Sequence, residues 1–184
     1  GLIETLEQAV AKIEAEVDTT LAPFHDAVER LQTIPGVGLT AARTIIAEIG
    51  LDMSRFPTAG HLRSWAGLCP RMDESAGKRR NTRIRKGAQW LKPVLIQCAW
   101  SAVRSAGYLK SQFLRLKSRR GPKKAIVAVA ASILGAAYAI LKDGQVYRDL
   151  GADHFTRNDR MRTVTKLTNR LRQLGYEVEL RAAA

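Results

Sequence analysis

Two cysteines, three histidines and six prolines are all that 184 residues hold of those types. Cys69 and Cys98 are far apart and form no C-x-x-C pair, so neither a zinc ligand set nor a disulfide framework is indicated. Two reduced, packed thiols fit that usage, and with them a cytoplasmic compartment. The histidines do not cluster, and His61 lacks a neighbouring carboxylate partner. A surface or capping role suits it better than general-base work. Carboxylates are scarce as well. Asp73 and Glu74 are adjacent, and no third acid stands at a matching spacing, so no metal site is expected in this chain.

Long hydrophobic runs are nearly absent. The one exception, "AIVAVAASILGAAYAIL" at 125–141, is short for a membrane span and rich in alanine, which suits close helix packing in a core. No membrane association is expected. The chain opens "GLIETLEQAV", amphipathic and acidic, which is unlike a signal peptide. It starts without methionine and in mid-pattern, as a piece of a longer protein would.

What is abundant is positive charge. Thirty Lys and Arg face 17 Asp and Glu, a formal charge of +13, with an isoelectric point near 10.3. Such an excess is silent about fold but favours a polyanionic partner, nucleic acid first. A hydrophobic fraction of 46% is enough for a core, in one medium domain or a small domain with a helical appendage.

The periodicity predicts a mainly α fold. Ile3, Leu6, Val10, Ile13, Val17, Phe24 and Leu31 follow an alternation of threes and fours in which Thr20 and Ala27 are weak positions, a coiled-coil-like connector helix over 1–30 that Pro23 bends or interrupts. That seam suits either a second copy of the chain or the domain that follows. A compact helical domain is expected over 31–184, starting with "LQTIPGVGLTAARTIIAEIG" at 31–50. Pro35-Gly36-Val37-Gly38 turns between two helices, as in a helix-hairpin-helix. Gly36 and Gly38 would let backbone approach a phosphate at the second helix's N-terminus, beside Thr40. A plain αα-turn that binds nothing has the same pattern. Further helices are predicted over 88–106 (bent at Pro93), 108–118, 123–142 and 157–174, with a short strand in "GYEVEL" and Phe56, Trp65 and Leu68 in the core.

The chemistry concentrates in "ESAGKRRNTRIRKGAQW", 74–90. Ser75 precedes Lys78, Arg79, Arg80, Arg83, Arg85 and Lys86 in a basic loop over 71–86. Ala76 and Gly77 leave the backbone beside Ser75 uncrowded, so a phosphate can approach. A second basic cluster, Arg119, Arg120, Lys123 and Lys124, brackets Gly121-Pro122. On residue type alone these support nucleic-acid binding, while a serine in a basic loop is ordinarily a solvated hydroxyl.

Three stretches in this order resemble one family: "LQTIPGVGLTAARTIIAEIG", "RFPTAGHLRSWAGLCPRMDESAGKRRNTRIRKGAQWL" and "SRRGPKKAIVAVAASILGAAYAILKDGQVYRDLGADHF". Together they are similar to the C-terminal domain of the DEDD-type insertion-sequence transposases, the bridge-RNA-guided recombinases, over about 25–180. The resemblance implies that Ser75 attacks a DNA phosphate and forms a covalent protein–DNA link. It implies a companion N-terminal domain whose four acids hold Mg²⁺, and a basic segment, 78–86, lying against DNA or guide RNA. Asp73 and Glu74 match no catalytic acid of the family. The expected whole is a nucleoid-associated prokaryotic transposase, homo-oligomeric through its N-terminal helix, of which this chain alone would be inactive. The rival expectation is a non-catalytic helix-hairpin-helix module that binds nucleic acid.

Overall fold

The computed structural model describes residues 1–70, 73–81 and 83–180; of residues 73–75, 78–81, 158 and 159 it describes the backbone alone. The fold is mainly α, as the periodicity predicts. Its centre is α7, Pro122–Asp143, where Ala125, Val129, Ala130, Ile133, Leu134 and Ala137 are fully buried. Alanines at these positions let α4 (Ala59–Trp65), α5 (Leu91–Ala102) and α6 (Tyr108–Arg120) approach closely. At Gly135 the Arg63 side chain of α4 takes the space, because an added Cβ would overlap its guanidinium. By length and composition α7 is the described helix able to cross a membrane, yet half of its most apolar stretch is buried in this bundle.

Hydrogen bonds tie α7 to its surroundings. Tyr138 donates its hydroxyl to the Phe56 carbonyl at 2.9 Å, and Gln112 Nε2 of α6 donates to Ser132 Oγ at 2.8 Å. Gly121, at φ +80°, ends α6 and starts α7 in one residue, with Pro122 in the first turn, where its missing N–H costs nothing. Gly144 closes α7 in the left-handed conformation. From there the segment 145–153 runs back as a strap. Tyr147 N donates to Thr33 Oγ1 (2.9 Å), Tyr108 N to Asp149 Oδ1 (3.1 Å), and Ser111 Oγ to the Ala152 carbonyl (2.6 Å). Asp149 thereby caps α6 from 41 residues away.

At the other end, α1 (Leu2–Leu21) has no buried residue, and Ile3, Leu6, Val10 and Ile13 of the predicted seam are exposed, as is Leu2 beside them. An ion pair between Asp18 and Arg43 links it to α3, Leu39–Ile49. Pro23 does interrupt the helix, in a 3₁₀ turn at Ala22–Phe24. Beyond it α2, His25–Gln32, already belongs to the core through Ala27, Val28 and Leu31, although part of it lies in the 1–30 connector segment.

Several expected details differ. α5 starts at Leu91, so Pro93 falls in its first turn and causes no bend. α8 spans His154–Gln173 and begins three residues early. Residues 176–180 form no strand. Trp65 is 44% exposed, with one face against Phe56 at 5.7 Å. Both cysteines are free thiols, and burial pushes that of Cys98 up in pKa.

Candidate nucleic-acid interface

The described residues of the basic loop expected over 71–86 include a β-hairpin. β1 (Asp73–Ser75) and β2 (Lys78–Asn81) pair antiparallel in the register Ser75↔Lys78, Glu74↔Arg79 and Asp73↔Asn81, with a bulge that leaves Arg80 as the extra residue. A further bridge, Pro70↔Ile84, continues the pairing towards the root. Ala76 and Gly77 form the two-residue turn with φ of +51° and +72°. Positive φ at both central positions is what a type I′ turn demands, and that turn matches the right-handed twist of the strands. Glycine adopts it freely, whereas Ala76 is held in left-handed backbone that costs about 1–2 kcal/mol. Both turn residues are exposed, and an added Cβ at Gly77 would meet nothing within 4 Å. Ser75 thus ends a strand at the hairpin tip, opposite Lys78 in register.

Two glycines fix the root. Gly67, at φ +72°, and Gly87 meet so closely that a Cβ on Gly67 would lie 2.8 Å from Gly87 Cα, and one on Gly87 would lie 2.2 Å from the Ala66 carbonyl oxygen. Lys92 of α5 adds a hydrogen bond to the Arg85 carbonyl at 3.1 Å. A clamp made by residues twenty apart, bracketing the whole basic stretch, has little local signature in the sequence. Its only signal there is the pair of glycines in "AGL" and "KGA". Arg83, Arg85 and Lys86 are exposed, and Trp90, next after the arm, is 70% exposed.

The turn between α2 and α3 separates its two glycines by role. Gly36 (φ +83°) packs on α5, where a Cβ would sit 2.3 Å from the Cys98 carbonyl oxygen. Its close backbone approach is therefore to another helix of the core. Gly38 is different: it is the N-cap of α3, at φ −91°, with open space before it and no side-chain cap. Gly38, Leu39 and Thr40 are exposed, so the first amides of α3 face outward.

The second basic cluster lies at the α6–α7 corner, where Arg119, Arg120, Lys123 and Lys124 are all exposed on either side of Gly121. Cations suit the C-terminus of α6. Lys123 and Lys124, in the first turn of α7, oppose the helix dipole and are explained only by an external anion or by solvation. Among the described residues no three His, Cys, Asp or Glu side chains gather as a metal-binding group.

The fold and these surfaces define a class: a basic helical domain, built round one alanine-rich helix, that projects a clamped β-hairpin with a serine at its tip. Comparison with known proteins gives the family. Residues 28–114 match the Transposase IS116/IS110/IS902 family. The transposase of insertion sequence element IS1111A from Coxiella burnetii is 31% identical over 147 residues, 77% of this chain and 40% of that protein. The uncharacterized insertion element IS110 protein of Streptomyces coelicolor is 28% identical over 137 residues, 73% of this chain and 33% of that protein. A putative transposase of Sinorhizobium fredii is 29% identical over 141 residues, covering 72% and 36%. The chain carries a transposase domain of the IS110 family. It spans about a third to two fifths of the length of these curated relatives.

Proposed function

We propose that this domain serves a DNA transposase by holding nucleic acid against the hairpin arm and supplying Ser75 as the nucleophile for strand cleavage and exchange. The observation that carries the reading is the hairpin itself, a strained, exposed two-residue turn joining Ser75 directly to Lys78 and the cations that follow. In the step, Ser75 Oγ attacks a backbone phosphorus. An Oγ–P bond forms as one bond from phosphorus to a deoxyribose oxygen breaks, the serine proton is released, and the departing oxygen takes one up. Lys78, Arg79, Arg80, Arg83, Arg85 and Lys86 offset the charge that builds on the phosphate oxygens. Outward amides at Gly38 to Thr40 and the cations Arg119, Arg120, Lys123 and Lys124 hold the backbone on either side.

Mg²⁺ enters this proposal through a companion domain. Guide RNA shares the basic surface with DNA. The exposed row Leu2, Ile3, Leu6, Val10 and Ile13 supports pairing of α1 with a second copy of the chain. The protein acts at the nucleoid, in the cytoplasm.

The test is strand cleavage by the intact transposase. Ser75→Ala is expected to abolish cleavage and leave DNA affinity within a few-fold, since phosphate contacts set affinity. Normal cleavage by that variant would leave a non-catalytic binding module.

A further inference from the structure

We infer that α8 is a DNA-reading helix whose exposed polar face enters the major groove of duplex DNA. This rests on the reading that the domain handles DNA, and it adds a surface separate from the hairpin arm. α8 carries Arg157, Arg160, Arg162, Lys166, Arg170 and Arg172 against a single acid, Asp159. Arg157 is engaged at the base of the helix, with Asp153 at 2.9 Å and the Leu150 carbonyl at 3.2 Å. The remaining charge is arranged. Arg162, Thr165, Lys166, Asn169, Arg170 and Gln173 fall at spacings of three and four, on one helical face, and together with Met161 line an open groove along it. All six are exposed, and Arg162, Lys166 and Arg170 form no ion pair with a described residue.

The helix is anchored at its start. Phe155 stacks on Tyr108 of α6 at 5.1 Å, and Arg115 sits over the Phe155 ring at 5.0 Å. The face away from the polar stripe bears Leu167, Leu171 and Leu174. Favourable placement against the helix dipole explains Arg170 and Arg172 near the C-terminus, but not Arg162 and Lys166 in the middle. Solvation alone explains neither the alignment nor the residue types: arginine pairs with guanine edges, and asparagine or glutamine with adenine edges. From Arg162 to Gln173 the helix rises about 17 Å, matching about five base pairs at 3.4 Å each. A helix about 10–12 Å across fits the roughly 12 Å major groove of B-form DNA, whereas the major groove of A-form RNA is too narrow for it.

The test uses this chain, random-sequence duplex DNA selection, and salt titrations of the selected duplex. Asn169→Ala with Gln173→Ala is expected to relax base preference at one or two positions by about 10- to 100-fold, with the salt slope unchanged. Arg162→Ala, Lys166→Ala and Arg170→Ala together are expected to weaken binding and flatten the slope by about two to three units. Circular dichroism checks that the helix persists. No duplex binding by the wild-type chain would overturn the DNA-handling reading itself. Binding that weakens with Arg83→Ala, Arg85→Ala and Lys86→Ala but ignores the α8 substitutions would overturn the α8 inference alone. Equal competition by duplex RNA of the same sequence would also overturn it.

Discussion

Gly67 and Gly87 meet backbone to backbone at the root of the basic hairpin, leaving no room for a side chain on either. That contact lets a two-stranded arm, which would be marginal by itself, leave a helical core in a defined direction. Gly87→Ala is expected to destabilise the fold by about 1–3 kcal/mol through overlap with Ala66. Gly67→Ala is expected to cost more, since it adds left-handed backbone strain of about 1–2 kcal/mol. Denaturant midpoints at unchanged slope measure both.

At the turn between α2 and α3 the two glycines should respond differently. Gly36→Ala collides with the α5 backbone and is expected to lose stability, with affinity following only as far as unfolding dictates. Gly38→Val has space and ordinary backbone, so the melting transition is expected to hold. Duplex affinity should nevertheless fall, because a β-branched side chain then stands before the α3 amides. Unchanged affinity would remove α3 from the interface.

For the arm, Arg79→Ala, Arg80→Ala and Arg83→Ala together are expected to flatten the dependence of log K on log salt by about two to three units on duplex DNA. An unaltered slope would shift the main contact to the α6–α7 corner.

The strap after α7 carries a pH signature. Burial first, and then the adjacent Asp149 carboxylate, pushes the Tyr147 phenol up to about 12, and its hydroxyl lies 3.3 Å from Asp149 Oδ2. The folded state therefore keeps a proton that the unfolded chain loses near pH 10. The contribution of this group is fully present below pH 10 and is lost as pH rises towards 12. Tyr147→Phe should match the wild type's pH trend below 10 and lose less stability above it, as read from parallel urea titrations.

Much of this was legible in the sequence because local patterns and packing agree. The alanine-rich run announced the central helix, Pro23 the break after α1, and Gly121-Pro122 the α6–α7 corner. The rest depended on contacts remote in sequence. Nothing local marks Asp149 as the cap of α6 or separates the packing glycine, Gly36, from the open one, Gly38. The hairpin escaped because "KRRNTRIRK" has a charge pattern in place of the apolar alternation by which a half-buried strand is recognised. Its pairing depends on the Ala76-Gly77 turn and on the clamp at its root. The proposed α8 interface has little signal in the sequence because six cations spread through twenty residues are less dense than six in nine.

The central claim is that Ser75 becomes covalently joined to DNA. The most direct measurement is to trap the intact transposase in the act of cleavage, digest it, and search its peptides by mass spectrometry for a bound nucleotide. The expected result is an adduct on the peptide that contains Ser75, absent from Ser75→Ala. An adduct on a different residue, or cleavage by Ser75→Ala at the wild-type rate, would contradict it.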